Sequence, residues 1–324
     1  ADPIRHEADK LGWDGRFGPG LPRVSDGSML FLLHMISKFK PVTDDPKTPW
    51  VDGGTRMGIV LSGSPLFSGA AGSGESEIRR WMLEGDLLEG IVALPDQMFY
   101  NTGINTYVWI LTNRKPDDRK GQVVLVDARD MGTKMRKSLG DKRKELTDDA
   151  IAEITDLFVR ALEVDDPRVK VMRNEEFGFA RLTVERPLRR VWRIDGQRVT
   201  TEKDAKALLT KLNPEAGTKT ITALLKAAAT TDENAEPAKG KKGGGFEPDP
   251  DLRDQESIPL PTGYLDLDED DRAKTVRDAA ERHLRDEIHP YVPDAWVDHS
   301  RTKIAYEIPF TRQFYVYMPP RPIA

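Results

Sequence analysis

Residues 88–113 read LEGIVALPDQMFYNTGINTYVWILTN. Two apolar, β-branched runs, EGIVALP and TYVWILTN, flank a polar loop that carries Asp96, Gln97, Phe99, Tyr100, Asn101 and Gly103. The spacing predicts strand, loop, strand. Neither run alternates cleanly between apolar and polar residues, so both faces are expected to be covered, as in a helix-covered sheet rather than a solvent-facing hairpin. In such a sheet, chemistry sits in the loops at strand ends, and Phe99 and Tyr100 stand in one. Paired aromatics beside strands are commonly core residues, because burial removes a large area from water. In a loop this polar they can instead stack on a planar ligand such as an extruded base. The residues alone leave both readings open.

The segments on either side extend the pattern. MGIVLS at 57–62 reads as a strand that ends in Ser62, Gly63, Ser64 and Pro65, and QVVLVDA at 122–128 reads as another buried strand. SDGSMLFLLHMISKF at 25–39 opens with the capping residues Ser25 and Asp26 and then places apolar residues all round a helix, as expected of one packed deep against a sheet. LFSGAAGSGESEIRRWMLEG at 66–85 lacks the Lys and Ser/Thr of a phosphate loop. It reads as a loop running into a helix with Glu75 and Glu77 in its first turn. LTDDAIAEITDLFVRAL at 146–162 is an amphipathic helix capped by Thr147 or Asp148. Strands alternating with helices at this spacing indicate an α/β sheet, with a first domain closing near residue 164.

Beyond that point the pattern is less regular. ARLTVERPLRRVWRI at 180–194 predicts one or two strands interrupted by Pro187, followed by helices near 201–212 and 217–229. Residues 230–263 are rich in Gly, Pro and charge and read as a linker. A charged helix at about 268–288 and an aromatic strand segment at 303–322 complete the chain. The expected division is 1–164, 165–229, 230–263 and 264–324.

Composition narrows the function classes. A length of 324 residues suits about two domains, and no apolar run approaches the roughly 20 residues of a membrane helix. The absence of cysteine excludes disulfides, zinc thiolates and thiol nucleophiles, and suits a reducing, cytoplasmic compartment. His6, His34, His283, His289 and His299 show no metal-ligand spacing, and Gly63–Pro65 lacks the glycine spacing of a nucleophile elbow. The net charge of −5 argues against binding nucleic acid through bulk charge. One local run differs: Lys134, Arg136, Lys137, Lys142, Arg143 and Lys144 face a single acid, Asp141. Such a run is either a solvated face or a set of phosphate contacts.

Taken together, SDGSMLFLLHMISKFKP, the continuous segment 53–113, MRKSLGDKRKEL, FGFARLTVERPLR and YEIPFTRQFYVYMPPRP resemble the modification subunit of type I restriction-modification systems, an AdoMet-dependent adenine methyltransferase of DNA. The resemblance implies an α/β fold: the C-terminal part of a Rossmann-like methyltransferase sheet, with a second, mixed and partly helical region. It implies that Phe99 stacks on the flipped adenine, that Tyr100, Asn101 and Thr102 line the pocket, and that Ser62, Gly63, Ser64 and Pro65 border the reaction centre. The family usually has Asn where Gly63 stands. It also implies S-adenosyl-L-methionine as cofactor, double-stranded DNA as substrate, and a specificity subunit and a restriction subunit as partners. The family's Gly-rich AdoMet motif and its Asn-Pro-Pro-aromatic tetrapeptide lie upstream of the matching segments, and no Asn-Pro-Pro occurs here. The expectation is therefore an excerpt of a methyltransferase, inactive by itself. The alternative is a non-catalytic DNA-binding or subunit-assembly module.

Overall fold

The computed structural model describes residues 2–43, 52–240 and 245–317. They fall into two compact units: Ala1–Ala180 with Pro259–Val276 and Lys303–Ala324, and Arg181–Ile258 with Arg277–Thr302. The first unit opens with helices α1 (Asp2–Leu11) and α2 (Ser28–Ile36) and a short strand pair, β1 (Val42–Thr43) and β2 (Asp52–Gly53). Its main sheet follows. β3 (Arg56–Ser62) leads through α3 (Ser64–Phe67) and α4 (Gly74–Glu84) to the central pair β4 (Leu88–Ala93) and β5 (Thr106–Thr112). β6 (Gln122–Asp127), the hairpin β7 (Thr133–Leu139) and β8 (Lys142–Glu145), α5 (Asp148–Val159) and β9 (Val169–Arg173) come next.

The sheet order is β3-β5-β4-β6-β9. β4 and β6 run parallel, and the other neighbours are antiparallel. The fold class is α/β. All six residues of β4 are buried, Glu89 among them, as a run without apolar–polar alternation predicts. One face carries Val92, Val124 and Val126, against which α5 sets Ile154, Leu157 and Phe158. Gly90 is required there, because a Cβ would stand 2.5 Å from the Phe158 ring and 2.6 Å from Val124 O. Trp109, Ile91 and Leu125 are buried on the opposite face. Alternation places Tyr107 on that face too, and its ring meets Phe310 edge-on at 5.4 Å. Buried Glu89 on β4 is matched by the Arg56 guanidinium, whose Nε and Nη2 donate to its two oxygens at 2.8 and 3.0 Å. β3 has a strand neighbour on one side only among the described residues, and Val60 on it is 45% exposed.

Several expectations are refined. α2 buries one stripe, Met29, Leu32, Leu33 and Ile36, and leaves Phe31 71% exposed, so it packs by one face rather than all round. Its neighbour Asp26 accepts from Ser28 N at 3.0 Å, just ahead of the helix. Thr147 caps α5 by accepting from Ala150 N at 3.2 Å. The sequence places a boundary near residue 165; β9, beyond that point, pairs with β6 and completes the first sheet. Of the segment 303–322, residues Lys303–Tyr306 form a strand and Phe310–Gln313 turn helical, burying Phe310; Pro319, Pro320 and Pro322 lie outside the described residues.

In the second unit, strands Arg190–Ile194, Gln197–Val199 and Ala229–Thr231 make a small sheet. Helices Glu202–Leu212 and Thr218–Ala228 cover it through Ala205, Leu209, Ile221 and Leu225 packed on Trp192 and Ile194. No helix among the described residues is long and apolar enough to cross a membrane.

Candidate functional site

Register brings the two candidate segments of the sequence to one end of the main sheet. Ser62 lies opposite Thr106, Tyr107 opposite both Leu61 and Ala93, and Ala93 opposite Asp127. The carboxyl ends of β3, β4 and β6 and the start of β5 therefore stand side by side, about 4.8 Å apart. Both 62–65 and 94–105 issue from this end.

The 62–65 turn is held from within. A Cβ on Gly63 would stand 3.3 Å from Tyr107 Cε2, so any side chain there requires that ring to give way. The Ser64 hydroxyl donates to Asp26 Oδ2 at 2.8 Å, accepts from Arg23 Nη2 at 2.7 Å and lies 2.9 Å from Ser68 Oγ. Hydrogen bonds from Ser28 first, with those from Ser64 and Arg23, hold the Asp26 carboxyl down at about 2. The Pro65 carbonyl accepts from Arg79 Nη1 at 3.0 Å, and Arg79 Nε donates to Tyr306 O at 2.6 Å. Arg79 is fully buried, and burial pushes its pKa down to about 10, which leaves it charged at neutral pH.

The aromatic loop is built differently. Leu94 N donates to Thr106 O at 2.8 Å and Asn105 Nδ2 to Leu94 O at 3.3 Å, which anchors its base. Phe99 bridges Thr102 across a tight turn with Tyr100 and Asn101 at the tip, and Gln97 adopts a left-handed φ of 58°. Phe99 and Thr102 are half-buried, whereas Asn101 is exposed and Tyr100 is 64% exposed. The structure thus separates two aromatics that the sequence could not tell apart.

The basic run forms the β7–β8 hairpin, and this hairpin lies against the same loop. Arg143 N and Lys144 N donate to Gln97 O at 2.9 and 3.1 Å, and Asp141 N donates to Tyr100 O at 3.1 Å. Lys142 Nζ lies 5.5 Å from the centre of the Tyr100 ring, and Lys144 Nζ pairs with Asp96. Gly140 turns the hairpin with φ 63°, and a Cβ there would stand 2.6 Å from Tyr100 O. Lys134, Arg136, Lys137 and Arg143 are exposed, and none of the four makes an ion pair among the described residues. Lys134 faces Lys144 directly across the hairpin, a like-charge pairing that a sheet disfavours.

A sequence model of a family described as N-6 DNA Methylase matches residues 5–182, more than half of the chain. The chain belongs to the N-6 DNA methylase family. Among curated relatives of this chain, the type I restriction enzyme MjaIX methylase subunit of Methanocaldococcus jannaschii is 29% identical over 162 residues, 50% of this chain and 25% of its own length. The type I restriction enzyme HindI methylase subunit of Haemophilus influenzae is 32% identical over 157 residues, 47% of this chain and 31% of its own. The chain thus spans about a quarter to a third of these relatives. A crystal structure of a type I restriction-modification methyltransferase subunit from Streptococcus thermophilus is similar over 52% of this chain and 31% of its own, with 26% identity and a TM-score of 0.40.

Some contacts around the candidate site escape a reading of the sequence. Asp127 and Arg129 form a two-bonded ion pair, at 2.7 and 2.6 Å, at the end of β6. Asp96 meets Lys144, and Arg23 and Asp26 meet Ser64, across sequence separations that no local pattern reports. Arg79 did leave a signal: it falls with Glu75, Ile78 and Met82 on the stripe that helical spacing turns inward.

Proposed function

We propose that this chain is the target-base side of a DNA adenine methyltransferase. The whole protein transfers a methyl group from AdoMet to the exocyclic amino group of adenine in double-stranded DNA, within a cytoplasmic type I restriction-modification complex that includes a specificity and a restriction subunit. The observation that carries this reading is the union, at one end of a methylase-family sheet, of an aromatic turn with a hairpin on which Lys134, Arg136, Lys137 and Arg143 are exposed and, among the described residues, unpaired. Phe99 stacks on the extruded base, with Tyr100, Asn101 and Thr102 around it, and Lys134, Arg136, Lys137, Lys142 and Arg143 hold backbone phosphates.

The glycines of 69–74 do not supply a nucleoside cradle. A Cβ on Gly74 would stand 1.7 Å from Leu21 O, and one on Gly69 2.3 Å from Ser73 Oγ, so the chain itself occupies that space. AdoMet binding is accordingly assigned to the family's upstream motif, and the present chain alone is expected not to methylate.

The deciding experiment compares Phe99→Ala in the full-length protein with wild type, measuring methyl incorporation into duplex DNA. Stacking of a base on an aromatic is worth about 1–3 kcal/mol, so a loss of about 5- to 150-fold is expected with the fold intact. Wild-type methylation by Phe99→Ala overturns the stacking role, and methyl transfer by this chain alone overturns the division of labour. Salt-sensitive DNA binding that survives when the full-length protein shows no methylation favours the non-catalytic binding module instead.

A further inference from the structure

We infer that Asp96 and Lys144 form a latch through which the hairpin's hold on the DNA backbone sets the geometry of the base-contacting turn; this rests on the function proposed above. The hairpin touches the loop at two carbonyls. Gln97 O takes both Arg143 N and Lys144 N, and Tyr100 O takes Asp141 N. Gln97 itself is left-handed, a conformation that a residue with a Cβ rarely adopts. Such a residue stays in place only where its surroundings over-determine it, and here the surroundings are the hairpin. A shift of the hairpin therefore releases Gln97, and the Phe99–Thr102 turn that follows moves with it.

Lys144 and Asp96 add a side-chain link between the two elements at this point. Their side chains are 33% and 39% exposed, and a pair this accessible contributes little to stability. Its consequence is positional. Lys144 differs in this from the other cations of the run: Lys134, Arg136, Lys137 and Arg143 are unengaged and available to phosphates, while Lys144 is turned inward to Asp96. Lys144 and Asp96 are thus positioning residues. The hairpin presents its charges to one ligand group, the phosphates, and its backbone to the loop that handles another, the base.

The test uses the full-length protein with its partner subunits and a duplex bearing its methylation site, with 2-aminopurine in place of the target adenine for the optical arm. Asp96→Asn and Lys144→Gln are each expected to lower kcat about 10-fold and to weaken the 2-aminopurine response, since small misplacements of a reacting group carry large rate effects. The salt dependence of DNA binding is expected to stay at the wild-type slope, because every phosphate-facing cation remains. The exchange D96K/K144D rebuilds the pair and is expected to recover kcat to within about threefold of wild type, the scale of one exposed ion pair. A flatter salt slope in Lys144→Gln with no recovery in the exchange overturns the latch and makes Lys144 a phosphate contact. Unchanged kcat and emission in Asp96→Asn overturn it as well. A wild-type complex that neither methylates nor alters 2-aminopurine emission overturns the methyltransferase reading, and the latch falls with it.

Discussion

The 62–65 turn and the 96–102 loop leave the same end of one sheet, yet they are secured in opposite ways. The first is fixed from several sides: buried Arg79 on the Pro65 carbonyl, half-buried Asp26 and Ser68 and exposed Arg23 around Ser64, and the Tyr107 ring against Gly63. The second leaves Tyr100 and Asn101 in solvent and is steadied by a hairpin that is itself exposed. One is a wall; the other, under the proposed function, is the working part. Proximity to the site therefore does not make a residue a reagent: Ser64, the most chemically suggestive side chain of the first segment, is wholly occupied in holding the turn together.

The largest effect that can break this contrast is on the wall. Arg79→Leu removes the donors to Tyr306 O and Pro65 O inside a sealed interior, and chemical denaturation is expected to show a loss of about 3 kcal/mol. A loss under about 1 kcal/mol, less than an unsatisfied buried group imposes, would mean that the turn does not depend on it. Ser64→Ala ranks next, with about 1 kcal/mol expected for its lost hydrogen bonds, read in the same way. On the working side, Lys142→Glu combined with Arg143→Glu is expected to change stability by no more than about 0.5 kcal/mol. The same pair weakens DNA binding in the full-length protein and flattens its salt slope by about 2, one for each phosphate no longer neutralised.

A further effect separates the two regions by pH. Asp26 in the folded chain titrates at about 2, below the ordinary 3.8, because the folded state favours its charged form. Its contribution is therefore complete above 3.8 and fades as the pH falls toward 2. Asp26→Asn is expected to flatten the stability profile over that window alone, as followed by thermal unfolding at a series of acid pH values. An unchanged acid limb would show that Ser28, Ser64 and Arg23 do not hold the carboxylate in solution.

Much of the sheet was legible because its strands are continuous apolar runs: 57–62, 88–93, 106–112 and 122–127 read directly from β-branched and aromatic residues with no competing helical period. The hairpin was not, since TKMRKSL and KRKE carry charge where a strand usually carries apolar residues, and its pairing is closed by Gly140 and by the loop it leans on. The site was legible as two separate segments and one basic run. Their convergence was not, because it depends on register: only the pairing of Ser62 with Thr106, and of Gln97 O with the amides of Arg143 and Lys144, puts them together. The different standing of Phe99 and Tyr100 likewise comes from the Phe99–Thr102 turn and not from composition.

β3 has one further consequence, for how this polypeptide behaves in a tube. Arg56–Ser62 carries the apolar residues Met57, Ile59, Val60 and Leu61, and among the described residues it is paired on one side only. An apolar strand with an open side is a template for any other extended backbone. At rising concentration, copies of this chain are expected to associate through that edge, and a lysine in place of Val60 is expected to keep them apart in sedimentation experiments.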